Sequence, residues 1–273
     1  MKKLFLFVLT LSIAAAGFAQ GQPQNRKQSK EAQKKERKAK IENMIRQQEE
    51  GALVFNKQNV FGIRLNTDGW SLFFEKGYMK SVKVANLFAL ELGEKKDPKE
   101  KKQSLNQGFI QIGSPYAFGK QNIFYQLKPS FYQQRLIGGK TNRNGVAVQA
   151  IYGGGISVGL ERPYYITVIS GASNNQTRDI KYTQADSNLF LSPNRIVQGT
   201  GFKYGWKDMK VVPGVHAKIA VRFDYGRFNE MVSAIEVGLN VEAYSRKIEL
   251  MVLNPHDQVF FNSYVAILLG KRK

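Results

Sequence analysis

Residues 215–243 read VHAKIAVRFDYGRFNEMVSAIEVGLNVEA, and this stretch decides the fold. Val215, Ala217, Ile219, Val221, Phe223 and Tyr225 alternate with His216, Lys218, Ala220, Arg222 and Asp224. After the tight turn Gly226-Arg227-Phe228-Asn229, a second run places Met231, Ser233, Ile235, Val237, Leu239, Val241 and Ala243 against Val232, Ala234, Glu236, Gly238, Asn240 and Glu242. A period of two sends one set to each face of a strand. One face is then almost purely apolar and the other carries both signs of charge. Strands of soluble proteins average about five to six residues. These runs are longer, near the roughly 9–11 residues of a tilted membrane-crossing strand. They read as neighbouring staves of a transmembrane β-barrel, with the apolar face to lipid and the charged face to the lumen.

The beginning of the chain agrees with export. Lys2-Lys3 precede an apolar run from Leu4 to Ala16, followed by Gly17-Phe18-Ala19 with small residues where a signal peptidase reads. Residues 1–19 are therefore expected to be a cleaved signal peptide, with cleavage before Gln20. The apolar run is short for a spanning helix, which needs about 20 residues. No cysteine is present, which excludes disulfides, a lipid-modified cysteine and cysteine-based catalysis or metal binding. An exported chain of long alternating strands points to an outer membrane. The formal net charge of +20 would suggest nucleic acid in a cytosolic protein. Export removes nucleic acid from the partners and leaves outer-membrane lipid and lipopolysaccharide phosphates.

Residues 20–55 form a basic segment, expected to be a periplasmic tail or short helix. Ala32, Ala39, Ile41, Met44 and Ile45 give it only a thin apolar stripe. The barrel is then expected over residues 56–273. Phe61, Ile63 and Leu65 alternate with Gly62, Arg64 and Asn66, and Thr67-Asp68-Gly69 is a hairpin signal before Trp70, Leu72 and Phe74. Gly77–Lys80 reads as a turn and Val82–Gly93 as the third strand. Two long outer loops are expected, near 94–120 and 170–212, the second irregular through Ser170–Asn194. Two strands within 121–163, on either side of a Gly- and Asn-rich turn at 138–145, and strands at 215–225, 231–243 and 259–270 complete eight. The expected fold is thus all-β: a closed, antiparallel, eight-stranded transmembrane barrel.

FGIRLNTDGW (Phe61–Trp70), LGEKKDPKEKK (Leu92–Lys102), FGKQNIFYQLKPSFYQQ (Phe118–Gln134) and the ending YVAILLGKRK resemble a family of small Bacteroidota outer-membrane barrels of the OmpA/PorT-like, eight-stranded kind. That resemblance implies fold and location. It brings no catalytic residues.

Two groups of residues stand out as candidate sites. Inward parity is expected for Arg64, Lys128, Lys218 and Arg222 with Glu75, Glu91, Glu161, Asp224, Glu236 and Glu242. These four bases and six acids fit a polar network that plugs the lumen. A second candidate is the loop carrying Lys95, Lys96, Lys99, Lys101 and Lys102, placed to meet lipopolysaccharide phosphates as point charges. Gly153-Gly154-Gly155 lacks the Lys-Ser/Thr of a phosphate loop and reads as a close approach of strands. His216 and His256 fall in no Ser/His/acid order. No catalytic residue, metal or cofactor is implied. The expected role is a non-enzymatic outer-membrane protein, structural or accessory to an envelope assembly or secretion complex. A lipid A-modifying enzyme and a narrow pore are the alternatives.

Overall fold

The structure, a computed structural model, describes residues 34–39, 55–107, 110–140, 145–171, 176–226 and 230–273. The expected signal peptide lies outside these residues. Of the expected tail, Lys34–Ala39 form an exposed helical turn in a separate amino-terminal unit.

Thirteen strands follow among the described residues. β1 (Lys57–Asn66), β2 (Gly69–Ser81) and β3 (Val84–Lys95) lead to a hairpin of β4 (Lys102–Gln107) and β5 (Ile110–Ala117). Two long strands, β6 (Asn122–Gly138) and β7 (Ala147–Pro163), precede three short ones, β8 (Tyr165–Ile169), β9 (Thr177–Lys181) and β10 (Ile196–Gly199). β11 (Lys210–Asp224), β12 (Met231–Ile248) and β13 (Asp257–Arg272) end the chain.

The eight long strands close into one antiparallel barrel in the order β1-β13-β12-β11-β7-β6-β3-β2. Closure runs from Gln58 opposite Arg272 to Asn66 opposite Tyr264 and leaves no open sheet edge. A strand edge is intolerable in hydrocarbon, where no water satisfies the free amides. The alternation that defined the strands also fixes register: Arg222 lies opposite Glu236 and Ile219 opposite Leu239. A slip of one residue would turn every charge to the lipid side.

The resulting molecule is apolar outside and polar inside. Phe61, Ile63, Leu65, Phe88, Leu92, Ile156, Ile219, Leu239, Phe261 and Ile267 are exposed on its wall. Among the described residues, twenty-five polar or charged residues are buried. Among the described residues no helix is long and apolar enough to cross a membrane, so the strands alone form the apolar belt.

Some boundaries differ from expectation. Gly77 is not a turn residue; it sits inside β2, which continues to Ser81. It faces inward, where a Cβ would stand 2.5 Å from Gln58 Cγ and 2.8 Å from Leu87 Cδ2. The glycine therefore reflects lumen crowding, and the turn falls at Val82-Lys83. Gly153 answers a close approach as well. Its φ is +149°, and a Cβ would lie 2.4 Å from the Phe131 carbonyl oxygen. Of the tight turn at 226–229, Arg227, Phe228 and Asn229 lie outside the described residues.

All long connections emerge at one end, here the outer end, and they are folded rather than irregular. The hairpin β4–β5 fills the first. In the second, β10, β8 and β9 form a three-stranded sheet, followed by contacts from a short helix, α1 (Ser187–Phe190). Tyr116, Ile166, Val168, Ile180, Phe190 and Ile196 bury a small core there. Alternation of Ile166 and Val168 within YITVI signalled this sheet, but the segment is too short and too polar around it to stand out. Main-chain bonds tie the connections together: Gln121 N–H donates to the Leu250 carbonyl at 2.8 Å, and Val252 N–H to that of Gly119 at 2.8 Å.

Candidate functional site: the barrel lumen and its outer cap

Inward parity gathers the charged side chains in the barrel interior. All ten lumen residues expected from sequence are buried: Arg64, Glu75, Glu91, Lys128, Glu161, Lys218, Arg222, Asp224, Glu236 and Glu242. At mid-height Arg222 reaches Glu75 and Glu236, each at 2.6 Å. Lys218 lies 3.2 Å from Glu236. The Tyr264 hydroxyl donates to the same carboxylate at 2.6 Å. Arg64 pairs with Glu91, and its guanidinium carbon sits 4.8 Å from the Phe73 ring centre and 4.3 Å from that of Tyr264.

Higher in the barrel Lys128 bridges Glu91 and Glu242, both at 2.9 Å. Glu242 also accepts from Gln126 at 2.5 Å and Asn240 at 2.7 Å. Lys95 then joins Glu242, at 3.3 Å, to Asp68 in the first hairpin. From Glu75 to Asp68 the chain of contacts holds five acids (Glu75, Glu236, Glu91, Glu242, Asp68) and five bases (Arg222, Lys218, Arg64, Lys128, Lys95). Such balance is what burial demands, since an unpaired charge in a low-dielectric interior costs several kcal/mol.

Further bases enter the lumen beyond the four expected. Lys95 is one correction: it does not belong to the exposed lysine loop. It is the last residue of β3, in step with Glu91, and is 3% exposed. The parity 91, 93, 95 was there to read, but the charge-rich run after it drew the residue into the loop. Arg272 is a second missed base. It ends β13, pairs with Asp224, and its guanidinium carbon lies 5.3 Å from the Phe55 ring centre. Lys140 approaches Asp224 to 3.5 Å from the turn after β6. Glu161 lies near the outer mouth, where Arg246 binds it at 2.5 Å and the Glu249 N–H donates to it at 3.1 Å.

Lys99, Lys101 and Lys102 are exposed and Lys96 is half-buried, all on the outer connections.

His216 is buried in the lumen opposite Glu242 on the neighbouring strand, but its hydrogen-bond partners are hydroxyls rather than that carboxylate. Its Nε2 is 2.9 Å from Ser130 Oγ and 3.2 Å from the Tyr132 hydroxyl, and its Nδ1 is 3.0 Å from Ser157 Oγ. A Ser–His pair therefore exists, with a second serine where a triad would place a carboxylate. His256 contacts the Met251 carbonyl at 3.2 Å. An acyl-transfer site needs a reachable nucleophile. Ser130 and His216 are both buried inside the barrel.

The outer cap holds its own charged contacts. Asp208 accepts from Lys181 at 2.7 Å and from the Tyr165 hydroxyl at 2.8 Å, and these bonds, Lys181 first, hold its carboxyl below the usual carboxylate range. Lys120 donates twice to Glu100 at 2.8 Å. Arg162 stands over Tyr125, Phe202 and Trp206, an arrangement taken up below.

A closed eight-stranded antiparallel ring with an apolar outer wall and an ion-paired interior defines an outer-membrane β-barrel protein. No family model matches the chain, and no curated protein matches it. Solved structures similar in fold include Ail, the attachment invasion locus protein of Yersinia pestis (TM-score 0.35, 6% identity, covering 81% of this chain and 100% of that one). The N-terminal β-barrel domain of Pseudomonas aeruginosa OprF is another (TM-score 0.31, 9% identity, 79% of this chain and 98% of that one).

Proposed function

We propose that this protein is a non-enzymatic barrel of the outer membrane that serves as a structural or accessory subunit of an envelope assembly or secretion complex. The observation that carries this reading is the lumen: five acids and five bases form a continuous chain of contacts across it. An interior of eight strands is just wide enough to be filled by side chains. With the interior given over to that plug, the surfaces left for function are the folded outer cap and the basic segment 20–55. A pore needs an open, hydrated path, and an acyl-modifying enzyme needs an accessible nucleophile; neither fits the packing described above.

The reading is tested by purifying the full chain in mild detergent from its native membrane. A reproducible, stoichiometric set of envelope proteins, lost on deletion of residues 20–51 or of the cap segment 170–206, is the expected result. A monomer free of partners would refute it. Discrete conductance steps in planar bilayers would favour a pore, and altered lipid A on deletion of the gene would favour an enzyme.

A further inference from the structure

Arg162 breaks the rule that organises the barrel wall. It occupies a lipid-facing position of β7, two residues beyond Leu160, yet it is 2% exposed. Three rings cover it. Its guanidinium carbon lies 4.8 Å from the centres of Phe202 and Trp206 and 5.4 Å from that of Tyr125. Trp206 stacks on Tyr125 at 5.9 Å and 7°, and its indole N–H donates to the Phe202 carbonyl at 2.7 Å. Arg162 Nη1 donates to that same carbonyl at 2.8 Å. Among the described residues Arg162 has no carboxylate partner, and its buried Nε has no acceptor. Among the described residues every other buried lysine or arginine is met by an acid. Rings offset part of the cost through cation–π attraction, but they leave the charge uncompensated.

The caged arginine forms part of the wall of a cavity of about 250 Å³ at the outer rim. Lys96, Lys102 and Lys120 share that wall with Glu94 and Glu100. Lys120 and Glu100 neutralise each other. What remains is Arg162, Lys96 and Lys102 against Glu94, a surplus of two positive charges. A phosphate monoester carries about −1.5 to −2 at pH 7 and accepts several hydrogen bonds. Arginine is the side chain best shaped to grip one.

We propose that this cavity binds the phosphate of an outer-leaflet lipid headgroup. The lipid, rather than a soluble anion, is favoured by position. Arg162 follows the last apolar residue of its strand on the lipid side, and aromatic residues such as Tyr125 and Trp206 mark the membrane–water interface. The inference rests on the barrel spanning the outer membrane and not on the accessory-subunit reading.

Trp206 supplies the test, because the chain has only two tryptophans and the other, Trp70, which lies opposite Glu94 on the neighbouring strand, is removed by substitution. The full chain carrying W70F, folded in zwitterionic detergent micelles, is titrated with phosphatidic acid, phosphatidylcholine or inorganic phosphate while Trp206 emission is followed. A saturable change with phosphatidic acid is expected, together with at least a tenfold higher half-saturating amount in K96Q/K102Q. R162Q should abolish the response; should R162Q fail to fold, the lysine pair still decides. An equal response to phosphatidylcholine, or an unchanged response in K96Q/K102Q, overturns the site. Saturation by inorganic phosphate at the same concentration overturns the lipid assignment in favour of a soluble anion. Because no partner protein enters the experiment, its failure is distinguishable from failure of the proposed complex.

Discussion

Glu236→Gln is the sharpest probe of the lumen. The Glu236 carboxylate lies within 2.6 Å of Arg222, 3.2 Å of Lys218 and 3.8 Å of Arg64, and accepts the Tyr264 hydroxyl at 2.6 Å. Glutamine keeps the shape and one acceptor but removes the charge, so three bases are left facing Glu75 and Glu91. Breaking a buried pair by removing one partner costs about 3–5 kcal/mol. Retention of the amide acceptor places this variant at the lower end, about 3 kcal/mol. With an m-value of about 2 kcal/mol/M, the urea midpoint of the micelle-folded barrel should fall by roughly 1.5 M. Lys218→Met alone should also destabilise, leaving Glu236 and Glu75 with one base fewer. The double variant restores the count, four acids with four bases in the same chain of contacts, and should be at least about 1 kcal/mol more stable than the sum of the singles predicts. A loss below about 1 kcal/mol for Glu236→Gln, or strictly additive singles, would refute the argument that charge balance holds the lumen together.

Four other outcomes are expected. Ile219→Arg, on the lipid face and 62% exposed, should destabilise the barrel in bilayers by about 2–4 kcal/mol if it lies near the midplane, measured by urea unfolding in liposomes. Gly153→Ala should cost about 2 kcal/mol or prevent folding, because a Cβ would meet the Phe131 carbonyl at 2.4 Å with φ at +149°. Gly138→Ala, where the nearest atom is Val148 Cβ at 3.9 Å, should be nearly neutral in the same denaturation assay. An amine-reactive, water-soluble label applied to the folded protein should modify Lys99, Lys101 and Lys102 and spare Lys95, read by peptide mass spectrometry.

The staves were legible because a barrel writes its two environments into alternate residues. β11 and β12 hold their alternation for more than ten residues each, so both the fold and the side of each charge could be read without coordinates. The same parity located ten lumen residues. What escaped depended on strand ends, where the alternation has no further residue to confirm it. Lys95 and Arg272 are terminal residues of β3 and β13, and each was read with the polar segment beyond it. Asp68 was legible as a turn former, and its second role, accepting Lys95 and the Asn262 amide at 3.1 Å, depends on three strands meeting at the outer end. The cap sheet escaped for another reason. Its strands are only four or five residues long, and their core is assembled from Tyr116 in one connection and Ile166, Ile180 and Ile196 in another.

The two charge patterns in this molecule have different physical consequences. Inside, each base is paired, so the network is insulated from salt and contributes to one rigid arrangement of strands. Within the ten-residue chain the five acids and five bases cancel and leave no net charge to attract a ligand or carry an ion. At the outer rim the arithmetic is different: Arg162, Lys96 and Lys102 outnumber Glu94 around one cavity, close to solvent and lipid. Surplus charge near an interface attracts counter-ions and falls off within about 8–10 Å at physiological salt. Binding of the proposed headgroup phosphate at the rim should therefore weaken with ionic strength while barrel stability does not. Measuring phosphatidic acid titration and urea midpoint together, at 50 and 500 mM sodium chloride, separates the two. Parallel loss of both would mean that the rim and the lumen form one electrostatic system, contrary to the pairing found here.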